Sequence, residues 1–241
     1  MIRIVIAIVL LLDASAAWAD EAAVHRMVEQ KLGVGGRIES VHKVPWGGFY
    51  EVVVRAADGP LIYYVDGDAK VIFVGQAIDA ATGRNFTEER QRKLAAIKWN
   101  SLPWQWAITS KRGTGRRKIA IFSDPNCPYC KRFEENLAKL GDITVHIFPY
   151  AVIKPESVRQ AKAVWCSNDR RKAWDDLMLR RIEPQAATDC DNPIQKLIEL
   201  GRTLGANSTP TWFLESGERY SGVMPLEQVR AFLDAASPRN R

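Results

Sequence analysis

Two of the four cysteines in this 241-residue chain, Cys127 and Cys130, are separated only by Pro128 and Tyr129. Thiols that close can form a small, readily reversed disulfide, and the thiolate form of one can attack a foreign disulfide. The same spacing also serves zinc ribbons and haem attachment sites. A second Cys-x-x-Cys for a four-thiolate zinc site is missing, and position 131 is Lys rather than the His that haem attachment requires. A reactive dithiol needing no metal or organic cofactor is the expectation. A disulfide that only clips a turn, or a zinc or copper site, would be the other uses of the pair. Cys166 and Cys190 lie 24 positions apart. One local pair and one loop-closing pair is the simplest of the three possible pairings. A disulfide closing the larger loop contributes about 3–4 kcal/mol in the chain-entropy model.

A reactive cysteine needs a device that favours its anion, and the flanking pattern supplies one. Ile119–Phe122 reads as a short buried strand and Pro128–Leu140 as a helix ended by Gly141. Cys127 then stands at the helix start, and Pro128 suits the first helical position because its missing N–H has no partner there anyway. The orphan N–H groups and partial positive charge of a helix N-terminus favour thiolate over thiol. A free cysteine titrates near about 8.5, and sites of this kind lie several units lower. Cys127 is the expected nucleophile, and Cys130, one turn further in, the shielded resolving thiol.

The elements that must position them follow in order. Trp104–Thr109 reads as a strand, and the charged run Lys111–Lys118 as an exposed turn. After the strand and helix of the cysteine pair come a strand (Ile143–Phe148) and three helical stretches (Ser157–Cys166, Arg170–Arg181, Ile194–Leu204). A hairpin of Thr211–Leu214 with Tyr220–Gly222 and a last helix, Leu226–Ala236, complete the chain. The order βαβ, helical insert, ββα is the thioredoxin-like arrangement with helices inserted in its middle. In that fold Pro210, in the run Ser208-Thr209-Pro210-Thr211, would be cis and would face the cysteine pair. Such X-Pro bonds are uncommon, about 5–6% in folded proteins. The backbone of Thr209 would then be free to pair with an extended substrate segment.

Upstream, Arg3, the apolar run Ile4–Leu12 and Ala17-Trp18-Ala19 read as a cleaved secretory signal over residues 1–19. Asp13 interrupts the run before the roughly 20 apolar residues of a membrane span. Export places the cysteines in an oxidising compartment. Residues 20–82 form a small α+β unit, a helix over Glu21–Leu32 followed by an antiparallel meander whose connections include Asp58-Gly59. Residues 83–100 hold a connecting helix with Thr87 as its N-cap, and residues 101–241 the thioredoxin-like domain. The formal net charge of +6 is modest for this length, and no zinc-finger or RNP-type pattern points to nucleic acid.

The run Phe122-Ser123-Asp124-Pro125-Asn126 before Cys127-Pro128-Tyr129-Cys130, with Trp165-Cys166, Lys172–Met178, Cys190-Asp191, Leu204-Gly205, Thr209-Pro210 and Gly222, carries a resemblance. At these residues the chain resembles the bacterial periplasmic disulfide isomerases of the DsbC/DsbG type. The Pro-Tyr dipeptide looks more like the DsbG side of that family. The resemblance implies a cystatin-like N-terminal dimerisation domain, a linker helix, and a V-shaped homodimer with two active sites facing one cleft. It implies a structural disulfide between Cys166 and Cys190, and client docking at Thr209, Pro210, Pro128 and Tyr129. Its implied partners are exported proteins with disulfides and a membrane electron donor of the DsbD type. A dithiol oxidase, or a cleft-type chaperone with secondary redox activity, are the competing readings.

Overall fold

The computed structural model of the protein describes residues 20–32, 36–56 and 59–237. The expected signal over 1–19 and the Asp58 connection lie outside the described residues. The chain divides into two compact units between Gln91 and Arg92.

In the first unit, Asp20 Oδ1 accepts from the Ala23 N–H at 2.7 Å, starting helix α1 (Glu21–Leu32). One turn apart on its inner side, Val24 and Val28 are completely buried. They cover an antiparallel sheet of β1 (Arg37–Lys43), β2 (Tyr50–Ala56), β3 (Gly59–Val65) and β4 (Ile72–Phe73), ordered as in the chain. Val41, Tyr50, Val52, Val54 and Val65 complete this core. Helix α2 (Phe86–Leu94) carries the division between the units. Its start departs from expectation. Asn85 Oδ1 accepts from the Glu88 N–H at 3.0 Å, whereas Thr87 is buried and its hydroxyl meets Tyr64 OH at 2.7 Å and the Ala77 N–H at 2.8 Å. A side chain turned into the core cannot cap, so Asn85 takes that role. The helix also ends sooner than its composition suggests.

In the second unit, the Ile97 N–H donates to the Gly217 carbonyl at 3.0 Å and so leaves the helical ladder. Trp104–Trp106, expected as part of a strand, form a 3-10 turn after Pro103. Trp104 lies 4.8 Å from the ring of Trp99 and 4.7 Å from that of His146, and the strand starts only at Ile108. Five strands follow: β5 (Ile108–Arg112), β6 (Arg117–Ser123), β7 (Ile143–Pro149), β8 (Thr211–Leu214) and β9 (Arg219–Ser221). They are ordered β5-β7-β6-β8-β9, and only β6 and β7 run parallel. Half of the supposed exposed turn over 111–118 therefore belongs to β5 and β6, and only 113–116 turn between them. Arg112 is tied to the Leu137 carbonyl at 2.6 Å, and Arg117 to Asp234 at 2.8 Å.

Ile119–Ser123 of the central β6 is buried at every position, as expected for a strand covered on both faces. Helix α3 (Pro128–Ala138) makes the parallel crossover; α4 (Pro155–Cys166), α5 (Arg170–Leu179) and α6 (Ile194–Thr203) are inserted after β7, and α7 (Leu226–Ala236) closes the unit. Trp174, Trp212, Phe122, Phe133, Phe148 and Phe213 are the largest fully buried side chains. A disulfide joins Cys166, the last residue of α4, to Cys190, with the Cα atoms 5.8 Å apart. Replacing both cysteines by serine is expected to lower unfolding free energy by about 3–4 kcal/mol, the loop-closure value for this separation. Denaturant titration of the two proteins checks it.

Candidate active site

The site is built where β6 ends. Asp124, fully buried, turns the chain out of the sheet: its Oδ1 accepts from the Asn126 N–H at 2.7 Å, and its carbonyl from the Cys127 N–H at 3.1 Å. This side-chain-to-backbone turn is a preferred use of Asp ahead of Pro. The same carboxylate receives Ser157 Oγ at 2.8 Å and the N–H groups of Val152 and Ile153 at 2.7 and 2.8 Å. Asn126 Nδ2 donates to Gln160 Oε1 at 2.7 Å and to Ser157 Oγ at 3.0 Å. One buried acid thus ties the approach to Cys127 to the segment after β7 and to α4.

Cys127 is the N-cap of α3 and Pro128 its first residue, with no acidic side chain in the first turn. Cys127 is 4% exposed, Cys130 is completely buried, and Tyr129 projects with 62% of its surface exposed. Both thiols are free. The Thr209–Pro210 peptide is cis, and its position brings the Thr209 carbonyl oxygen within 3.3 Å of Cys127 Sγ, across 82 residues of sequence. The Thr209 carbonyl, expected to be free for a substrate, thus accepts the Cys127 S–H when that sulfur is protonated. Beside the pair runs an open groove of about 610 Å³, whose walls include Tyr129, Arg132, Thr209, Val223, Met224 and Pro225. Thr209 and Tyr129 therefore face the groove beside the sulfur.

The two sulfurs are electrostatically unlike. Cys127 is held down to about 5, first by the Cys130 thiol donating to it, then by the Thr209 side chain and the N–H groups of Cys130 and Tyr129; burial opposes them. The Thr209 hydroxyl is buried with no hydrogen-bond partner in the protonated geometry. Loss of the Cys127 proton breaks the bond to the Thr209 carbonyl and leaves the sulfur as an acceptor for that hydroxyl. Cys130 is driven far above its ordinary range by burial and by the neighbouring Cys127, although the Asp124 N–H reaches its sulfur at 3.4 Å. At neutral pH the outer sulfur is an anion and the inner one a thiol. The arrangement supports attack by Cys127 on a disulfide, followed by displacement from Cys130.

Sequence reasoning assigned no role to three residues around the pair. Asp124 lay inside the quoted run, but only the fold shows how many donors converge on it. Ser123 and Glu134 form a buried hydrogen bond of 2.6 Å beneath Cys130. The signal for Glu134 was available: Cys130, Phe133, Glu134 and Leu137 share the buried stripe of α3, where an apolar residue is expected.

The rate of alkylation of Cys127 by a small reagent is expected to rise through a midpoint near pH 5, the value its surroundings impose. The depressed value also sets the sign of a stability effect. The reduced protein gains stability from pH about 5 up to the unfolded thiol's about 8.5, and loses it as pH falls through 5. Alkylation kinetics against pH, read by mass spectrometry of the 127 peptide, check the first; a midpoint above 8 contradicts it.

Residues 104–237 match the family model of a thioredoxin-like domain, and residues 15–88 that of the disulfide bond isomerase protein N-terminal domain. The probable thiol:disulfide interchange protein DsbC of Bordetella avium is 38% identical over 205 residues, 85% of this chain and 70% of that protein. The thiol:disulfide interchange protein DsbC of Escherichia coli K12 is 26% identical over 222 residues, 90% of this chain and 89% of that one. The crystal structure of a disulfide interchange protein from Neisseria gonorrhoeae aligns with a TM-score of 0.54 at 37% identity, covering 56% of this chain and 98% of that one. A thiolate poised at a helix start, a cis-proline beside it and two matching domain models lead to one conclusion: the chain belongs to the DsbC family of thiol:disulfide interchange proteins.

Proposed function

We propose that the protein isomerises or reduces incorrect disulfides in exported proteins, with Cys127 as nucleophile and Cys130 as resolving thiol. The Cys127 thiolate attacks one sulfur of a client disulfide; a Cys127–client bond forms and the other client sulfur leaves as thiolate. A further client thiolate then displaces Cys127, which completes isomerisation, or the Cys130 thiolate does so, which releases a reduced client and leaves a Cys127–Cys130 disulfide. In the second outcome two electrons must return to the pair, and a membrane donor of the DsbD type would supply them. Thr209, Pro210, Pro128 and Tyr129 dock the client chain, and the Cys166–Cys190 disulfide serves stability alone.

The observation that carries this reading is the Cys127 sulfur itself, capping α3 at 3.3 Å from the carbonyl before a cis-proline. The domain plan proposed with it is a secretory signal over 1–19, a dimerisation domain over 20–82, a linker over 83–100 and a catalytic domain over 101–241. Work in the periplasm as a homodimer follows from that plan.

The depressed Cys127 value also favours a second reading, a dithiol oxidase. A stabilised thiolate makes the reduced form more stable and the disulfide more oxidising. Refolding separates the two. The mature protein is expected to elute as a dimer and to reactivate scrambled, multiply disulfide-bonded ribonuclease, with that activity lost in Cys127→Ala. Oxidation of reduced ribonuclease without rescue of the scrambled form would establish the oxidase instead.

A further inference from the structure

Disulfide exchange at this site has a proton problem. The resolving sulfur must lose its proton before it can attack, yet Cys130 is completely buried and its environment opposes the anion. We propose that Ser123 and Glu134 form an internal relay that takes the Cys130 proton and passes it towards a small cavity that Glu134 lines beneath the active site. The inference rests on the exchange chemistry above and names the groups that serve its second half.

The geometry is continuous. Glu134 stands one helical turn after Cys130 on the same buried stripe of α3. The Asp124 N–H reaches the Cys130 sulfur at 3.4 Å, and Ser123, the residue before it and the last of β6, is among the groups whose side chains act on that sulfur. The Ser123 hydroxyl donates to Glu134 Oε1 at 2.6 Å. Glu134 Oε2 accepts from Trp174 Nε1 at 2.7 Å, which fixes the carboxylate plane. On its far side, Glu134 shares with Arg112, Arg171 and Asp175 a cavity of about 10 Å³, near the minimum that holds one water. Arg171 pairs with Asp175 at 2.8 Å, while Arg171 Nη1 is buried without a hydrogen-bond partner. The charged groups that face Glu134 are thus Arg171 and Asp175 from α5 and Arg112 from β5; Cys130 from its own helix and Ser123 from β6 complete its surroundings. Burial pushes the Glu134 carboxyl up to about 7, against the hydrogen bonds from Ser123 and Trp174, so both protonation states are populated near neutrality. A buried acid poised there is suited to proton transfer.

In the mixed disulfide, the Cys130 proton moves to Ser123 Oγ as the Ser123 proton moves to Glu134 Oε1, so the serine ends neutral. The Cys130 electron pair attacks Cys127 Sγ, the Cys127–Cys130 bond forms, and the Cys127–client bond breaks. The client sulfur leaves with the bonding pair as thiolate and takes its proton from solvent. Glu134 then returns its proton through the cavity. In this relay Ser123 receives the proton from the reacting sulfur and is assigned as catalytic; Glu134 acts through it and is a positioning residue.

The test loads Cys127 with a chromogenic aryl thiol as a mixed disulfide and follows release of that thiol by stopped flow across pH 5–9. In the wild type the release rate should rise with pH and level off above about 7, because the carboxylate is the acceptor. Glu134→Gln preserves the shape and should slow release at pH 7 by at least about tenfold, within the usual range for a lost proton acceptor. Its rate should also climb with hydroxide without levelling. Ser123→Ala should slow release likewise, and Glu134→Asp should recover part of the levelling profile. Unchanged circular dichroism and an unchanged rate of loading Cys127 identify folded variants, and a variant failing either is replaced by Ser123→Ala, which removes only a hydroxyl. Wild-type release rates and profiles in folded Glu134→Gln and Ser123→Ala overturn the relay. Failure of the wild type itself to form the mixed disulfide would instead overturn the exchange chemistry.

Discussion

A sulfur can be an anion at neutral pH inside a folded protein only where enough donors converge on it to outweigh lost solvation. Cys127 meets that condition because it caps α3, so the N–H groups of Tyr129 and Cys130 point at it and have no helical acceptor. The Cys130 thiol adds a donor from the next turn. Each donor exists only if the helix begins at residue 128, and the buried Asp124 carboxylate makes it begin there. Four groups donate to that carboxylate, and through them it positions the approach to the helix, the segment after β7 and the start of α4. The strand, the turn and the inserted helix are one device for placing a single atom.

The asymmetry between the two cysteines follows from the same construction. One helical turn carries Cys130 from the rim to complete burial, where desolvation opposes ionisation and a single backbone N–H at 3.4 Å is too weak to offset it. The inner thiol is then a donor to the outer thiolate, so each sulfur's state stabilises the other's. Nucleophile and reserve are set by depth along one helix. The groove lined by Tyr129 and Thr209 runs beside the outer sulfur, of whose surface little is open.

Much of this was legible in the residue order because local chemistry and global fold agree there. The Cys-Pro pair announces a helix start, alternating elements give the βαβ and ββα halves, and Thr209-Pro210 marks the strand entry. Where the reading departed, a tertiary partner had taken over a residue that local rules assigned elsewhere. Thr87 has the chemistry of a cap, but its hydroxyl is claimed by Tyr64 and Ala77, and Asn85 caps instead. Trp104 has strand propensity, but tilted ring contacts with Trp99 and His146 hold it in a turn. Arg112 and Arg117 look solvated in a charged run, yet both reach across to named acceptors. The convergence of donors on Asp124 had no local signature, since its partners lie up to 33 residues away.

The central claim is that the reduced site is a thiolate–thiol pair, and the pH dependence of its reduction potential reads this directly. A two-electron couple shifts by about 30 mV for each proton taken up per pH unit. With Cys127 held near 5 and Cys130 protonated, reduction takes up one proton across neutrality. The potential should therefore fall by about 30 mV per pH unit from pH 6 to 8, steepening to about 60 mV below pH 5. A uniform slope of about 60 mV per unit through pH 8 would mean two ordinary thiols, and would contradict the account.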